Sequence, residues 1–324
     1  MSIATLIAAC VLVGCGGASS TVNPLTPTRI IAFGDSFSTV DSNGYATYSV
    51  NASETNATVA SRIATIYGFT TMKFYTASPA PVHASGTAYS YAVYNATSSN
   101  TASQIETYIN NGNTPGSSDL FIITAGTRDI ISQAASGYNS TSSAAIAAAA
   151  TALTTAIQRL TNAGAQYVLV MQPINVARTP GAVTNSYTSA AQAYSYDTGT
   201  ACVSFSCLLS TKLNAAYPAT SSHQPILLAD LISYFNLITG TTSTGSANTY
   251  TSYGVTNPDT AVCNIFPLCT TSTVNTGTKS YTGTSVSWDY SASLFAYDYY
   301  TTPFANRLLA DYIYNYNFYR AGWR

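Results

Sequence analysis

The stretch Arg29-Ile30-Ile31-Ala32-Phe33-Gly34-Asp35-Ser36-Phe37-Ser38 decides the fold. Four consecutive apolar residues followed by Gly-Asp-Ser predict a short buried strand that stops at a tight turn. That turn would present the Ser36 hydroxyl at the carboxyl end of the strand, which is where open α/β sheets place their ligands. Ser36 is therefore the candidate nucleophile around which the rest of the chain is interpreted.

Strands and helices alternate through the middle of the chain. Apolar runs predict buried strands at 119–125, 167–171 and 225–231, and helical spacing predicts helices at 58–67 and 144–163. This alternation is typical of a parallel sheet with helical crossovers. Composition predicts the loops, and capping residues predict the last helix. Long surface loops are predicted at 181–200 and 239–286, and a final helix that begins at Thr302-Pro303 and runs through Tyr316 is expected to bury Phe304, Leu308 and Ile313.

The composition excludes one large class of function. The chain has 324 residues, of which 7% are charged, and its net charge is -1. Nucleic-acid binding requires a basic surface, so we expect no nucleic-acid partner. The surface is instead predicted to be a neutral coat of Ser, Thr, Ala and 26 Tyr residues, as in an exported protein.

The first residues resemble a bacterial lipoprotein leader. The apolar run from Ile3 to Val13 is too short to span a bilayer and ends at Leu12-Val13-Gly14-Cys15, which resembles a lipobox. We expect residues 1–15 to be a signal peptide with Cys15 as the lipidated residue, 16–28 to be a flexible tether, and 29–324 to form one domain. A lipoprotein of the outer membrane or cell surface follows from this interpretation. A plain secretory signal, giving a secreted or periplasmic protein, or a buried strand is the alternative, since no Lys or Arg precedes the run.

The other cysteines form two close pairs in the sequence. Cys202 with Cys207 and Cys263 with Cys269 are read as short-range disulfides of an oxidising compartment. Zinc binding is the competing interpretation, but the spacing and the lack of a nearby histidine favour disulfides. We expect neither a metal ion nor a cofactor.

Three further stretches accompany Gly34-Asp35-Ser36 in the order of a known family. They are Ser90-Tyr91-Ala92-Val93-Tyr94-Asn95-Ala96, Gly126-Thr127-Arg128-Asp129, and Asp298-Tyr299-Tyr300-Thr301-Thr302-Pro303 at the start of the final helix. Together with the serine block they resemble the conserved blocks of the SGNH/GDSL ester hydrolases. The resemblance implies an SGNH-hydrolase-like α/β fold, a three-layer sandwich whose central parallel sheet has flavodoxin-like topology and is flanked by helices.

The resemblance also implies roles for individual residues. Ser36 takes the place of the family's nucleophile and Asp298 that of its aspartate. In this register the position of the family's histidine falls on Thr301. If the alignment is moved by one residue to match the Thr-Pro pair, Tyr297 and Tyr300 take the positions of the aspartate and the histidine. Neither register provides a histidine.

The residues expected to stabilise an oxyanion also depart from the family. Asn95 stands in the second block where glycine is expected, and Arg128 replaces the asparagine of the third block. Asp35 adjoins the nucleophile. Loss of the base in a triad enzyme costs roughly 10⁶ in turnover, and loss of an oxyanion donor about 10² to 10³. The resemblance therefore implies an ester hydrolase of impaired catalysis.

Two histidines could supply a relocated base, and Arg128 could take either of two roles. His83 and His223 are the only histidines in the chain, and a structural role for each is the alternative. Arg128 could form a salt bridge with Asp129, Asp35 or Asp298, or it could offer a cationic fork to a carboxylate or phosphate ligand. A third choice concerns the tyrosines of the C-terminal end, which could pack amphipathically or form an aromatic platform for a sugar or polymer.

Three functions remain open on the sequence alone. The first is hydrolysis of an acyl or acetyl ester of a lipid or carbohydrate through acyl-Ser36. The second is a non-catalytic surface lipoprotein that binds an ester, an anionic small molecule or a partner in the old cleft. The third is a structural component of the cell envelope.

Overall fold

A computed structural model describes residues 24–324 except 76–82, 198, 200, 219–223, 241–248, 265, 268, 276–277, 282–283 and 288, and for 278–281 and 284–287 it describes the backbone only. The strands are β1 (Arg29–Gly34), β2 (Met72–Phe74), β3 (Thr87–Ser90), β4 (Leu120–Thr124), β5 (Tyr167–Met171), β6 (Ile226–Ala229), β7 (Asn257–Ala261), β8 (Thr278–Tyr281), β9 (Thr284–Ser287) and β10 (Ser293–Phe295). The helices are α1 (Val59–Ile66), α2 (Ser98–Asn110), α3 (Thr127–Ala134), α4 (Ser140–Asn162), α5 (Pro180–Thr184), α6 (Thr188–Ser195), α7 (Phe205–Ala216), α8 (Ile232–Ile238) and α9 (Pro303–Tyr312), which continues as a π-helical turn (Ile313–Phe318) and a short helix α10 (Tyr319–Ala321).

A six-stranded parallel sheet in the order β2-β3-β1-β4-β5-β6 forms the centre of the molecule. The register pairs Ile30 of β1 with Leu120 of β4, and Leu120 in turn with Tyr167 of β5. Because all six strands run in one direction, their carboxyl ends share one edge, and the strand order changes direction at β1. The predicted α/β fold with a central parallel sheet flanked by helices is confirmed.

The two faces of the sheet are covered by different helices because side chains alternate along each strand. On β1, Ile30 belongs to the core on one face and Ile31 to the core on the other. The first core also takes in side chains of α1, α8 and α9, and the second takes in side chains of α2, α3, α4 and α7. The result is a three-layer sandwich.

Helix α4 satisfies the length and mean hydropathy of a membrane span. Its Ile146, Leu153 and Ile157 are nevertheless buried in the second core. This burial is what a core helix of a globular domain shows. The sequence predicts this helix but begins it at residue 144, four residues after its first residue, Ser140. The N-cap is Asn139, whose side chain accepts from the Ser142 N–H, and the sequence analysis did not recognise it.

Two predicted loops contain secondary structure, so those predictions were wrong. Residues 181–200 include most of α5 and all of α6, and residues 239–286 include β7, β8 and part of β9. Both regions are rich in Ser, Thr and Gly and have no apolar period, so tertiary contacts rather than local pattern determine their structure. The final helix was predicted correctly, but Phe304 and Leu308 are half-buried while Leu309 is buried in their place.

The predicted leader 1–15, with Cys15, lies outside the described residues, as does most of the predicted tether. The last tether residues pack on the domain. Leu25 is buried in the first core, and the Thr28 hydroxyl donates to Asp119 at 2.8 Å.

Candidate active-site cleft

The end of β1 is a rigid turn that presents Ser36. Gly34 has φ +132°, and a Cβ there would lie 1.8 Å from the carbonyl oxygen of Thr124 on β4, so only glycine fits. The Asp35 N–H donates to the same carbonyl at 3.1 Å. Gln104 of α2 holds Gly34 from the other side, accepting from its N–H at 2.6 Å and donating to its carbonyl at 3.0 Å. These contacts fix the path of the backbone from β1 into the turn that carries Ser36.

Asp35 is buried beneath this turn and Ser36 is half-buried above it. The Asp35 carboxylate accepts the Phe37 N–H at 3.2 Å. Burial raises the pKa of Asp35 to about 6, against the effect of these hydrogen bonds. Among the residues that the structure describes, none forms a hydrogen bond with the Ser36 hydroxyl, so none of them is placed to take its proton.

Asn95 adopts the backbone conformation that glycine would take. Its φ is +59°, in the left-handed region that asparagine tolerates better than most residues. The segment is fixed to the serine turn because the Val93 N–H donates to the Gly34 carbonyl at 2.9 Å. The second block therefore keeps its path beside Ser36 despite the substitution.

Arg128 opens α3 at the end of β4 and is half-buried. Neither Asp129, Asp35 nor Asp298, all of which are described, forms a salt bridge with it. Asp129 instead accepts from the backbone N–H of Ser98 at 2.8 Å and from its hydroxyl at 2.9 Å. The expected salt bridge is not formed among the residues that the structure describes, which leaves the guanidinium available to a ligand.

The final block folds as a turn that separates its candidate residues. The N–H of Tyr300 donates to the carbonyl of Tyr297 at 3.3 Å, so Asp298 lies at the exposed tip. Thr301 is buried and donates to Asn306 of α9 at 2.6 Å. Of the two positions proposed for the histidine, Tyr300 is therefore the one that faces the cleft.

The Tyr300 hydroxyl donates to Oδ1 of Asn95 at 2.7 Å. Burial raises the pKa of Tyr300, an effect that Arg128 opposes and Asp35 reinforces. A phenol whose pKa is raised above its ordinary value stays protonated at neutral pH, so Tyr300 is a hydrogen-bond donor here and no base.

A cleft of about 350 Å³ lies beside the turn of the final block, whose residues 297–300 all line it. It is lined by Tyr94, Arg128, Ala261, Cys263, Asn264, Phe266, Tyr297, Asp298, Tyr299 and Tyr300. Gly181 of α5 fixes its rim, since the Gly181 N–H donates to the Asp298 carbonyl at 2.9 Å and a Cβ there would lie 2.3 Å from the ring of Tyr299.

The predicted disulfides are both present. Cys263 and Cys269 have Cα atoms 5.7 Å apart, and the loop between them carries Phe266, which is 45% exposed. The Cys269 N–H donates to the Tyr297 hydroxyl at 2.9 Å, which attaches the loop to the cleft. Cys202 and Cys207 form the second bridge, with Cα atoms 5.5 Å apart.

One group of side chains in the described part of the chain has the closeness of metal ligands. It consists of Asp197 with Cys202 and Cys207. The disulfide between the two cysteines removes two of the three donors, so the group does not fit a metal ion.

His83 does not line the cleft. His83 is buried among tyrosines, with Nε2 2.7 Å from the Tyr91 hydroxyl, and burial lowers its pKa to about 4. Its carbonyl accepts from Arg29, at the opposite end of β1 from Ser36. His223 lies outside the described residues.

Several residues of the site escaped the sequence analysis. Gln104 and Thr124 gave no signal, because a polar residue in a helix or at a strand end has many other uses. Phe266 was hidden in a predicted loop, although a large apolar residue between two paired cysteines could have drawn attention to it.

A parallel sheet that ends at a turn-borne serine defines the serine-dependent α/β hydrolases as a class. Within that class the chain belongs to a specific family: residues 30–257, more than half of the chain, match the family model of the GDSL-like lipase/acylhydrolases. The match includes Ser36, Asn95 and Arg128 and ends before Tyr300. A comparison with curated proteins found no match.

Proposed function

We propose that this family member hydrolyses esters at no more than a residual rate and uses the cleft lined by Arg128 and Tyr300 to bind a ligand. One observation carries the proposal: the residue that reaches the cleft at the place of the family's histidine is Tyr300, and its hydroxyl donates to Asn95. A serine without a base in reach is a poor nucleophile. Arg128 adds a positive charge where the family offers a neutral amide.

The test compares wild type with Ser36→Ala in the hydrolysis of nitrophenyl acetate and butyrate. We expect the two proteins to be equally slow and a fluorophosphonate probe to leave Ser36 unlabelled. Vigorous turnover that disappears in Ser36→Ala would overturn the proposal. His83→Ala and His223→Ala belong in the same assay, since loss of activity in either would identify a relocated base.

We also propose that the protein is an exported lipoprotein of the cell envelope. The lipobox-like Leu12-Val13-Gly14-Cys15 supports it, and two disulfides are typical of oxidising compartments. Cells fed a fatty-acid probe should label wild type and not Cys15→Ala. Absence of label on wild type, or equal label on both, would exclude lipidation at Cys15.

A further inference from the structure

The cleft presents an unpaired cation. In the part of the chain that the structure describes, Arg29, Arg62, Arg159 and Arg307 each form an ion pair, whereas Arg128 and Arg178 have neither an ion pair nor a side-chain hydrogen bond, and of these two only Arg128 lines the cleft. A guanidinium is a planar fork whose geometry matches a carboxylate. In a chain with so few charges, a free fork on the wall of a cleft indicates an anionic ligand.

The walls around Arg128 are aromatic faces. Phe266 lies 5.3 Å from Tyr94, 4.9 Å from Tyr297 and 6.0 Å from Tyr300 between ring centroids. Such faces pack against the C–H bonds of a ring, and the tyrosine hydroxyls add polar edges. The ligand is expected to be a ring rather than a small inorganic anion.

The cleft also offers a hydrogen-bond acceptor. Asp298 is exposed at the rim, and its carboxylate accepts no hydrogen bond from the residues that the structure describes. A carboxylate there would repel a second anion but would accept from hydroxyl groups. Arg128 and Asp298 together therefore select a ligand that carries both a carboxylate and hydroxyls.

A second depression extends the cleft. It has a volume of about 500 Å³, lies along α2, and shares Tyr94 with the cleft. Its lining joins Tyr75 and Tyr91 to polar side chains of α2, among them Asn100, Ser103 and Thr107. The cleft and the depression together therefore offer aromatic and short polar side chains to more than one sugar unit.

We propose that the cleft binds a uronic-acid unit of an acidic polysaccharide, with Arg128 on the carboxylate, Asp298 on hydroxyls, and neighbouring sugar units in the depression along α2. This proposal rests on the proposed function, in which the cleft binds rather than hydrolyses. Arg128 is the one cationic side chain among the described residues that line the cleft.

Binding is measured calorimetrically with a galacturonate hexamer, the same hexamer with its carboxyl groups reduced to alcohols, free galacturonate, and benzoate. We expect the hexamer to bind more tightly than free galacturonate and benzoate. Carboxyl reduction should weaken binding about tenfold or more, as expected for loss of a charged hydrogen bond. Arg128→Gln should weaken hexamer binding by a similar factor and should leave binding of the reduced hexamer unchanged.

Two variants serve as matched comparisons. Arg159→Gln removes an exposed arginine of α4 and should bind the hexamer like wild type. Tyr94→Ala should weaken the hexamer more than the monomer, and Tyr319→Ala, which removes an exposed tyrosine at the C-terminal end, should weaken neither. Circular dichroism confirms that each variant is folded.

Equal binding of the hexamer and its reduced form, tighter binding of benzoate than of galacturonate, or no binding of the hexamer would each overturn the uronate assignment. None of these results bears on ester turnover. The proposed function fails separately, through vigorous hydrolysis that depends on Ser36.

Discussion

Two arginines occupy opposite ends of the same pair of central strands. Arg29 begins β1, and its guanidinium donates to Asp119, to the His83 carbonyl at 3.1 Å and to the Thr114 carbonyl at 2.8 Å. Arg128 follows β4 at the other end and has no such partner in the described part of the chain. The comparison shows that the fold pairs the arginine at the amino end of the sheet with a buried carboxylate and leaves the one at the carboxyl end without an ion pair to a described residue.

Loss of Arg29 should have the largest effect. Arg29→Met leaves the fully buried Asp119 carboxylate without its charge partner, which should lower the free energy of unfolding by about 3 kcal/mol. Arg128→Met removes no ion pair and no hydrogen bond with a described residue and should change the free energy of unfolding by less than about 0.5 kcal/mol. Urea unfolding of both variants and wild type, analysed with one shared m-value, measures the two changes in the free energy of unfolding. Equal losses in the two variants would show that Arg128 is also structural.

A histidine introduced at position 300, near the carboxyl ends of the strands, should restore ester hydrolysis. Tyr300→His places an imidazole where the cleft meets Asn95, and we expect ester turnover about 10²-fold above wild type, the lower range for a general base. Tyr300→Phe is the control for loss of the phenol. The gain must vanish when Ser36→Ala is added. A folded Tyr300→His protein without any gain would show that residue 300 cannot reach the serine.

We expect the smallest effect in the pH dependence of the free energy of unfolding. His83, near one end of β1, and Asp35, at the other, contribute to it with opposite sign. His83 has its pKa lowered from 6.5 to about 4 by burial, so the unfolded chain binds the proton first and His83 lowers stability as the pH falls from 6.5 to 4. Asp35 has its pKa raised from 3.8 to about 6 by burial, so the folded chain binds the proton first and Asp35 raises stability over the fall from 6 to 4.

Denaturant unfolding at several pH values between 4 and 7 separates the two contributions. Acidification should destabilise wild type less than Asp35→Asn and more than His83→Phe. Identical pH profiles for the three proteins would remove both assignments.

The sequence predicted the central strands because their apolar runs allow little else. The runs in β1, β4 and β5 are buried on both faces, and Gly-Asp-Ser marks the end of β1. The same pattern placed Ser36, Asn95 and Arg128 at one edge of the sheet. Helices α5 and α6 were missed because short polar helices are stabilised by what they contact rather than by their own pattern.

The site could be located but its contacts could not be predicted. Tyr300 and Asn95 are 205 residues apart, and their hydrogen bond depends on a turn whose register the sequence left open. The burial of His83 depends on Tyr91, Tyr75 and Tyr108, which lie on different elements. Such contacts follow from three-dimensional packing, which pairwise spacing in a sequence does not specify.

The Cys263–Cys269 disulfide makes one wall of the cleft depend on the oxidation of two thiols. The loop that it closes carries Phe266, and the Cys269 N–H holds Tyr297. A newly made chain in a reducing compartment has the sheet and Ser36 but no covalent closure of this wall. This wall of the cleft is therefore completed by oxidation of two thiols, and a reduced chain would present the same sheet and serine beside an open cleft.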